Sequence, residues 1–156
     1  VEALAPEVFR ISRLLKTFPT QQFEDITERL IKHAAIVKGV SVLDYHVSCP
    51  FLRENQCSIY DVRPAVCRKV HSTDVEKCKL AGSDVPESLE VAIKSEALIK
   101  GTADAYHHLK LSASGHYELG CSVLLALQDE TLESTWYGGG VVFSEAIDIS
   151  GFEQTI

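Results

Sequence analysis

Several things are missing from these 156 residues, and each absence removes a class of function. The longest apolar runs, such as Val123 to Leu127, fall far short of the roughly 20 residues that a membrane helix needs. No basic, then apolar, then small-residue start marks a secretory leader. There is no basic excess: 15 Lys and Arg against 22 Asp and Glu leave a net charge of -7. A general nucleic-acid binder needs a basic face to neutralise phosphates, so that class is excluded. Gly138 to Gly140 is followed by no Gly-Lys-Ser/Thr opening a helix, so it is not a phosphate loop. Carboxylate pairs such as Glu87 with Glu90, or Asp129 with Glu130, read as solvated helix-end charges rather than an acid/base couple. No Cys-x-x-Cys pair occurs, although that is the strongest thiolate signature of zinc and ferredoxin sites. The chain opens on Val1 rather than Met, so its native start is expected to lie upstream.

What is present is ordinary globular material, 46% apolar and 24% charged, enough for one domain with a real core. Cysteine is the exception to that evenness. Four of the five lie between Cys49 and Cys78, separated by seven, nine and ten residues. An odd count without a secretory segment points to reduced thiols in the cytoplasm, and so to metal binding or catalysis. For any single cysteine, buried packing stays open.

The remainder reads as helices. Ala5-Pro6-Glu7 starts one, with proline in the first turn and Val8, Ile11, Leu14 and Leu15 at helical spacing. Thr17 to Thr20 breaks it and can cap the next, whose stripe is Phe23, Ile26, Leu30, Ala34 and Val37, ending at Gly39. Val40 to His46 suggests an extended lead-in. Glu54-Asn55 suggests a turn between Cys49 and Cys57, Ser58 to Tyr60 a short extended piece, and Arg63-Pro64 the opening of one helical turn carrying Cys67 and His71. Thr73 to Glu76 and Asp84 to Glu87 look like helix starts, the first placing Cys78 in a short helix. Leu89 to Leu109 predicts a long helix that Gly101 interrupts or kinks. Tyr117 to Leu127 is apolar nearly all round and therefore central, and Asp129 to Trp136 is a last helix.

The expected class is mainly α: a single-domain helical bundle with an irregular cysteine-rich loop. Within one domain over 1–156, residues 1–39 form a helical N-terminal part, 40–82 the cysteine loop, 83–137 a helical C-terminal part and 138–156 a loosely attached tail.

The loop's composition is coherent as a metal site. Zinc and iron-sulfur centres take thiolates converging from separate turns, and prolines and turns supply the changes of direction. Four thiolates around a divalent ion leave a charge near -2, which Arg53, Arg63, Arg68 and Lys69 are expected to offset while lowering thiol pKa values. Phe51, Leu52, Ile59 and Tyr60 are expected to shield the site. Spacing alone leaves a metal site and buried thiols with a disulfide both open.

The combination Cys49-Pro50-Phe51-Leu52, Cys57-Ser58-Ile59-Tyr60, Arg63-Pro64-Ala65-Val66-Cys67-Arg68 and Cys78 resembles the bacterial YkgJ-like cysteine-cluster family of zinc- or iron-chelating domains. Weaker similarity runs through Val1 to Ile11 and from Tyr117-Glu118-Leu119 to Trp136. The resemblance implies Cys49, Cys57, Cys67 and Cys78 as ligands of zinc or of iron in an iron-sulfur cluster, the choice between the metals staying open. Relatives commonly carry a Cys-x-x-Cys-Cys group just before the part resembling Val1 to Glu7, where this sequence begins. Either the native chain lacks it or it lies upstream, and if it belongs to the same centre it would complete or enlarge the site. His71 stands four residues after Cys67, as an alternative ligand or a side chain touching one, and Arg63 and Arg68 flank the ligands.

The implied function is metal chelation in the cytoplasm, with a metal ion as partner and neither nucleic acid nor membrane. Two alternatives stand beside it. The same pattern resembles part of the flagellin lysine methylases, which implies a cluster-assisted alkyl transfer, and a zinc-stiffened adaptor would need no catalysis. A Cys67–His71 nucleophile pair would leave the other clustered cysteines unexplained. Cys121 reads as core packing, His107 and His108 as solvated, and His33, His46 and His116 have no partner at metal-ligand spacing.

Overall fold

A computed structural model describes residues 1–38, 47–69, 73–74, 86–111 and 117–146. The expectations at Gly39, Val40 to His46, His71, Val75-Glu76, Cys78, Asp84-Val85 and His116 lie outside the described residues. The class is mainly α. In chain order the elements are β1 (Glu2–Ala3), α1 (Ala5–Leu15), α2 (Thr20–Val37), β2 (Leu52–Arg53), β3 (Gln56–Cys57), a 3₁₀ turn (Tyr60–Val62), α3 (Ala65–Lys69), α4 (Leu89–His108), β4 (Tyr117–Glu118), α5 (Leu119–Gln128) and α6 (Leu132–Tyr137). The strands form two small antiparallel pairs, β1 with β4 and β2 with β3.

The core forms around α5, against which both α1 and α2 pack. The all-round apolar character of α5 has this cause: Leu119, Val123, Leu124 and Ala126 are buried, as is Cys121, which packs in the core as its apolar surroundings predicted. Helix α1 contributes Val8, Ile11 and Leu15, and α2 contributes Ile26, Leu30 and Val37, the spacings that place each set on one face. Each such side chain stabilises the fold by roughly 1.5–3 kcal/mol.

Aromatic rings close one end of the core. Phe9 meets Phe143 at 5.4 Å and Trp136 at 6.2 Å between ring centroids, and Tyr106 meets Trp136 edge-on at 5.4 Å. Val142, Phe143 and Ala146 are buried, so the described part of the segment expected to hang loosely is anchored in the core.

Two expectations change. Helix α4 runs unbroken through Gly101, beside which nothing lies within 4 Å. A glycine in an exposed, unobstructed helix lowers stability without bending the backbone. Among the described residues of α4 only Ile99 is buried, while Leu89 is 73% and Ile93 59% exposed. The extended piece expected at Ser58 to Tyr60 is instead a turn leading into the 3₁₀ segment.

The strand pair β1–β4 brings Glu2 opposite Glu118 and Ala3 opposite Tyr117. No described helix is long and apolar enough to cross a membrane.

Candidate metal centre

The cysteine loop begins as a tight hairpin. Glu54 and Asn55 have φ of 50° and 63°, and two successive left-handed residues make the turn whose twist matches paired strands. Leu52 is thereby set opposite Cys57, and Arg53 opposite Gln56. The Leu52 amide donates to the Cys49 carbonyl at 3.1 Å, and both the amide and hydroxyl of Ser58 donate to the Phe51 carbonyl at 2.9 Å. Cys49 and Cys57 therefore stand at the open end of one short ribbon.

Three anchors fix that ribbon to the helices. Phe51 and Ile59 insert fully into the core, while Leu52 and Tyr60 stay exposed. From α2, Arg29 Nη1 donates to the Pro50 carbonyl at 3.0 Å. Beyond the 3₁₀ turn, Pro64 leads into α3, which carries Cys67. One carboxylate seats that helix: Glu7 Oε1 accepts from the Ala65 amide at 2.7 Å, and its Oε2 accepts from the Leu4 amide at 2.9 Å. A single side chain thus satisfies orphan donors at the starts of both α1 and α3.

Cys49, Cys57 and Cys67 are free thiols, each half-buried. Burial first, and then the charges of the other two sulfurs, push the Cys67 thiol above its ordinary value. Cys49 is raised mainly by burial, with the Phe51 amide pulling down and Cys57 and Glu118 pushing up. Three sulfurs from three separate turns therefore lie within electrostatic reach of one another. Among the described residues, no three His, Cys, Asp or Glu side chains are already arranged to hold a metal ion. The donor set nevertheless has the right chemistry: soft sulfur ligands suit both zinc and iron.

The basic residues do something other than expected. Arg63 lies over the Tyr60 ring, 4.1 Å from its centroid. Arg68 donates to the Asp61 carbonyl at 2.9 Å and the Arg63 carbonyl at 3.3 Å. Arg53 reaches Asp25 at 3.6 Å, and Lys69 pairs with Glu96. They brace the loop's backbone and surface, and no arginine or lysine figures among the groups that set the Cys49 and Cys67 thiols. Burial therefore leaves the Cys49 and Cys67 thiols raised, not lowered.

The residues that spacing did not bring together are His33 and Glu118. Both are buried, and His33 Nε2 lies 3.1 Å from Glu118 Oε1. The other Glu118 oxygen accepts from the Cys121 amide at 2.7 Å and caps α5. Burial first, and then the Glu118 charge, push the Cys121 thiol up to about 12. A Cβ added at Gly120 would lie 2.4 Å from His33 Cδ2 and 3.1 Å from Pro50 Cγ, so the ring packs beside the residue that follows Cys49. The signal for this pair was a histidine inside the apolar stripe of α2, whose partner stands 85 residues away.

A family model, CxxCxxCC, described as "Putative zinc- or iron-chelating domain", matches residues 10–97. The match covers more than half of the chain and all four clustered cysteines. The chain belongs to this family. No curated protein and no solved structure matches it. As a member of the CxxCxxCC family it carries the metal-chelating domain type, while its own cysteines stand at wider intervals than the family's name spells out.

Proposed function

We propose that the chain chelates one zinc or iron centre through Cys49, Cys57 and Cys67, with Cys78 as fourth ligand. The observation that carries this reading is that three free, half-buried cysteines stand on separate turns of one braced loop, with Cys49 and Cys57 within electrostatic reach of Cys67. Membership of the chelating-domain family supports it. Binding would replace the protons of the three described thiols and draw the sulfurs together, since only thiolates are strong ligands. His71, Arg63 and Arg68 would flank the bound ion. When bound, the metal supplies a cross-link between the hairpin and α3, and in the iron-sulfur form a redox couple. Reduced thiols fit a cytoplasmic setting.

The test is metal analysis and an absorption spectrum on anaerobically purified protein. About one equivalent of zinc with no visible band, or iron with visible sulfur-to-iron absorption, supports the reading and distinguishes its two forms. Metal retained undiminished after Cys49→Ser, Cys57→Ser and Cys67→Ser together would overturn it.

A further inference from the structure

One row of side chains on α2 reaches the cysteine ribbon. Asp25, Arg29 and His33 stand at successive i, i+4 positions, which places them as neighbours along the helix. Each has a partner at the start of the loop. The Asp25 carboxylate lies 3.5 Å from Arg29 Nη2 and 3.6 Å from Arg53 Nη1, so it ties the helix to the first ribbon strand. Arg29 Nη1 donates to the Pro50 carbonyl at 3.0 Å. One turn on, a Cβ added at Gly120 would lie 2.4 Å from His33 Cδ2 and 3.1 Å from Pro50 Cγ, so both rings gather over the bare glycine.

The imidazole is itself held in place. Its Nε2 lies 3.1 Å from Glu118 Oε1, with both side chains buried, and the other Glu118 oxygen is fixed by the Cys121 amide at 2.7 Å. Burying a carboxylate carries a desolvation penalty that an apolar side chain at the same place would avoid. A role at a neighbouring ligand gives that penalty a reason. Pro50 directly follows Cys49, its ring fixes its own φ, and the Cys49 carbonyl accepts the Leu52 amide at 3.1 Å. Whatever holds Pro50 therefore holds the Cys49 backbone. Glu118 figures among the charges acting on the Cys49 thiol and not among those acting on Cys67, where Glu7 figures instead. The two sides of the loop are thus seated separately.

From this we infer that Arg29 and His33 are positioning residues for the metal centre: together they clamp Pro50 and so pre-set the Cys49 sulfur for an ion shared with Cys57 and Cys67. The inference rests on the metal reading and deepens it, by assigning the Cys49 side of the centre to α2. Residues that orient a ligand from behind typically carry about 10–100-fold in metal affinity.

Cobalt(II) is the probe, since its thiolate charge-transfer and ligand-field bands report both binding and ligand geometry. The full reduced chain is titrated with it beside Arg29→Met, Arg29→Lys and His33→Ala, and a urea midpoint is recorded for each. Arg29→Met and His33→Ala are each expected to weaken cobalt about tenfold or more and to shift the ligand-field bands. Arg29→Lys, which keeps a donor for the Pro50 carbonyl, should recover most of the affinity. Leu15→Ala is the control, a core variant at the end of α1 away from Glu7: it should lose stability and keep the parent's affinity and spectrum. Undiminished affinity with unshifted bands in Arg29→Met would overturn the assignment, as would an equal loss of affinity in Leu15→Ala. If His33→Ala does not fold, Arg29→Met decides alone. A parent chain without thiolate-to-cobalt bands would refute the metal centre itself, and the clamp with it.

Discussion

Adding one methyl group at two different glycines should move stability in opposite directions. At Gly120 a Cβ would sit 2.4 Å from His33 Cδ2, 2.8 Å from His33 Nε2 and 3.1 Å from Pro50 Cγ. The imidazole has no room to retreat, being buried and bonded to Glu118. Overpacking of this kind costs roughly 1–3 kcal/mol. If the ring tilts away, the hydrogen bond to a buried carboxylate goes with it, adding roughly 1–3 kcal/mol. Against that, alanine in place of glycine in a helix returns at most about 1 kcal/mol. Gly120→Ala should therefore lose about 2 kcal/mol. At Gly101 nothing lies within 4 Å, so Gly101→Ala should gain roughly 0.5–1 kcal/mol. Urea unfolding followed by circular dichroism reads both, the first variant shifting the midpoint down by about 1 M. A Gly120→Ala midpoint at or above that of the parent chain would refute the packing described around His33.

Glu7→Ala removes the acceptor shared by the Leu4 and Ala65 amides, and is expected to lower stability by roughly 2–4 kcal/mol in the same unfolding assay. Because the Cys49 and Cys67 thiols are held above their ordinary values, protons compete strongly with metal. Apparent zinc affinity, measured against a competing chelator dye, should rise about tenfold per pH unit for each proton displaced until those thiols ionise. Cys121 works in the other direction on stability. Its folded pKa of about 12 exceeds the reference value of 9.0, so its contribution is complete below pH 9.0 and is lost as pH rises toward 12. The metal-free protein should weaken across that alkaline window in thermal melts, and Cys121→Ala should flatten the slope. A chelator such as EDTA should lower the melting temperature of metal-loaded protein, with no such effect on Cys49→Ser/Cys67→Ser.

The legible parts of the sequence were those in which one local rule dictates the outcome. Ile26, Leu30 and Val37 share a face because 3.6 residues make a turn, and that face is the one buried in α2. Glu54-Asn55 forms the hairpin turn because both can adopt left-handed angles, and Pro64 precedes the helical turn carrying Cys67. The illegible parts depend on partners remote in sequence. His33 meets Glu118 only after α2 and α5 pack. The arginines near the cysteines had a plausible electrostatic role by proximity, yet backbone carbonyls, a tyrosine ring and Asp25 claim them in three dimensions. Gly101 was read by its residue type, but its exposed setting lets the helix tolerate it.

The pairing of Glu2 with Glu118 has a consequence for synthesis as well as for shape. Closing a contact of such long sequence separation carries a loop-entropy cost and slows folding. On a ribosome the first residues emerge long before Tyr117 and Glu118, and the helix α5 that completes the core comes later still. The cysteines at 49, 57 and 67 are therefore translated into a half-made scaffold, and wait, exposed, for the last third of the chain. Oxidants have their best opportunity during that interval, before the finished fold shelters the sulfurs.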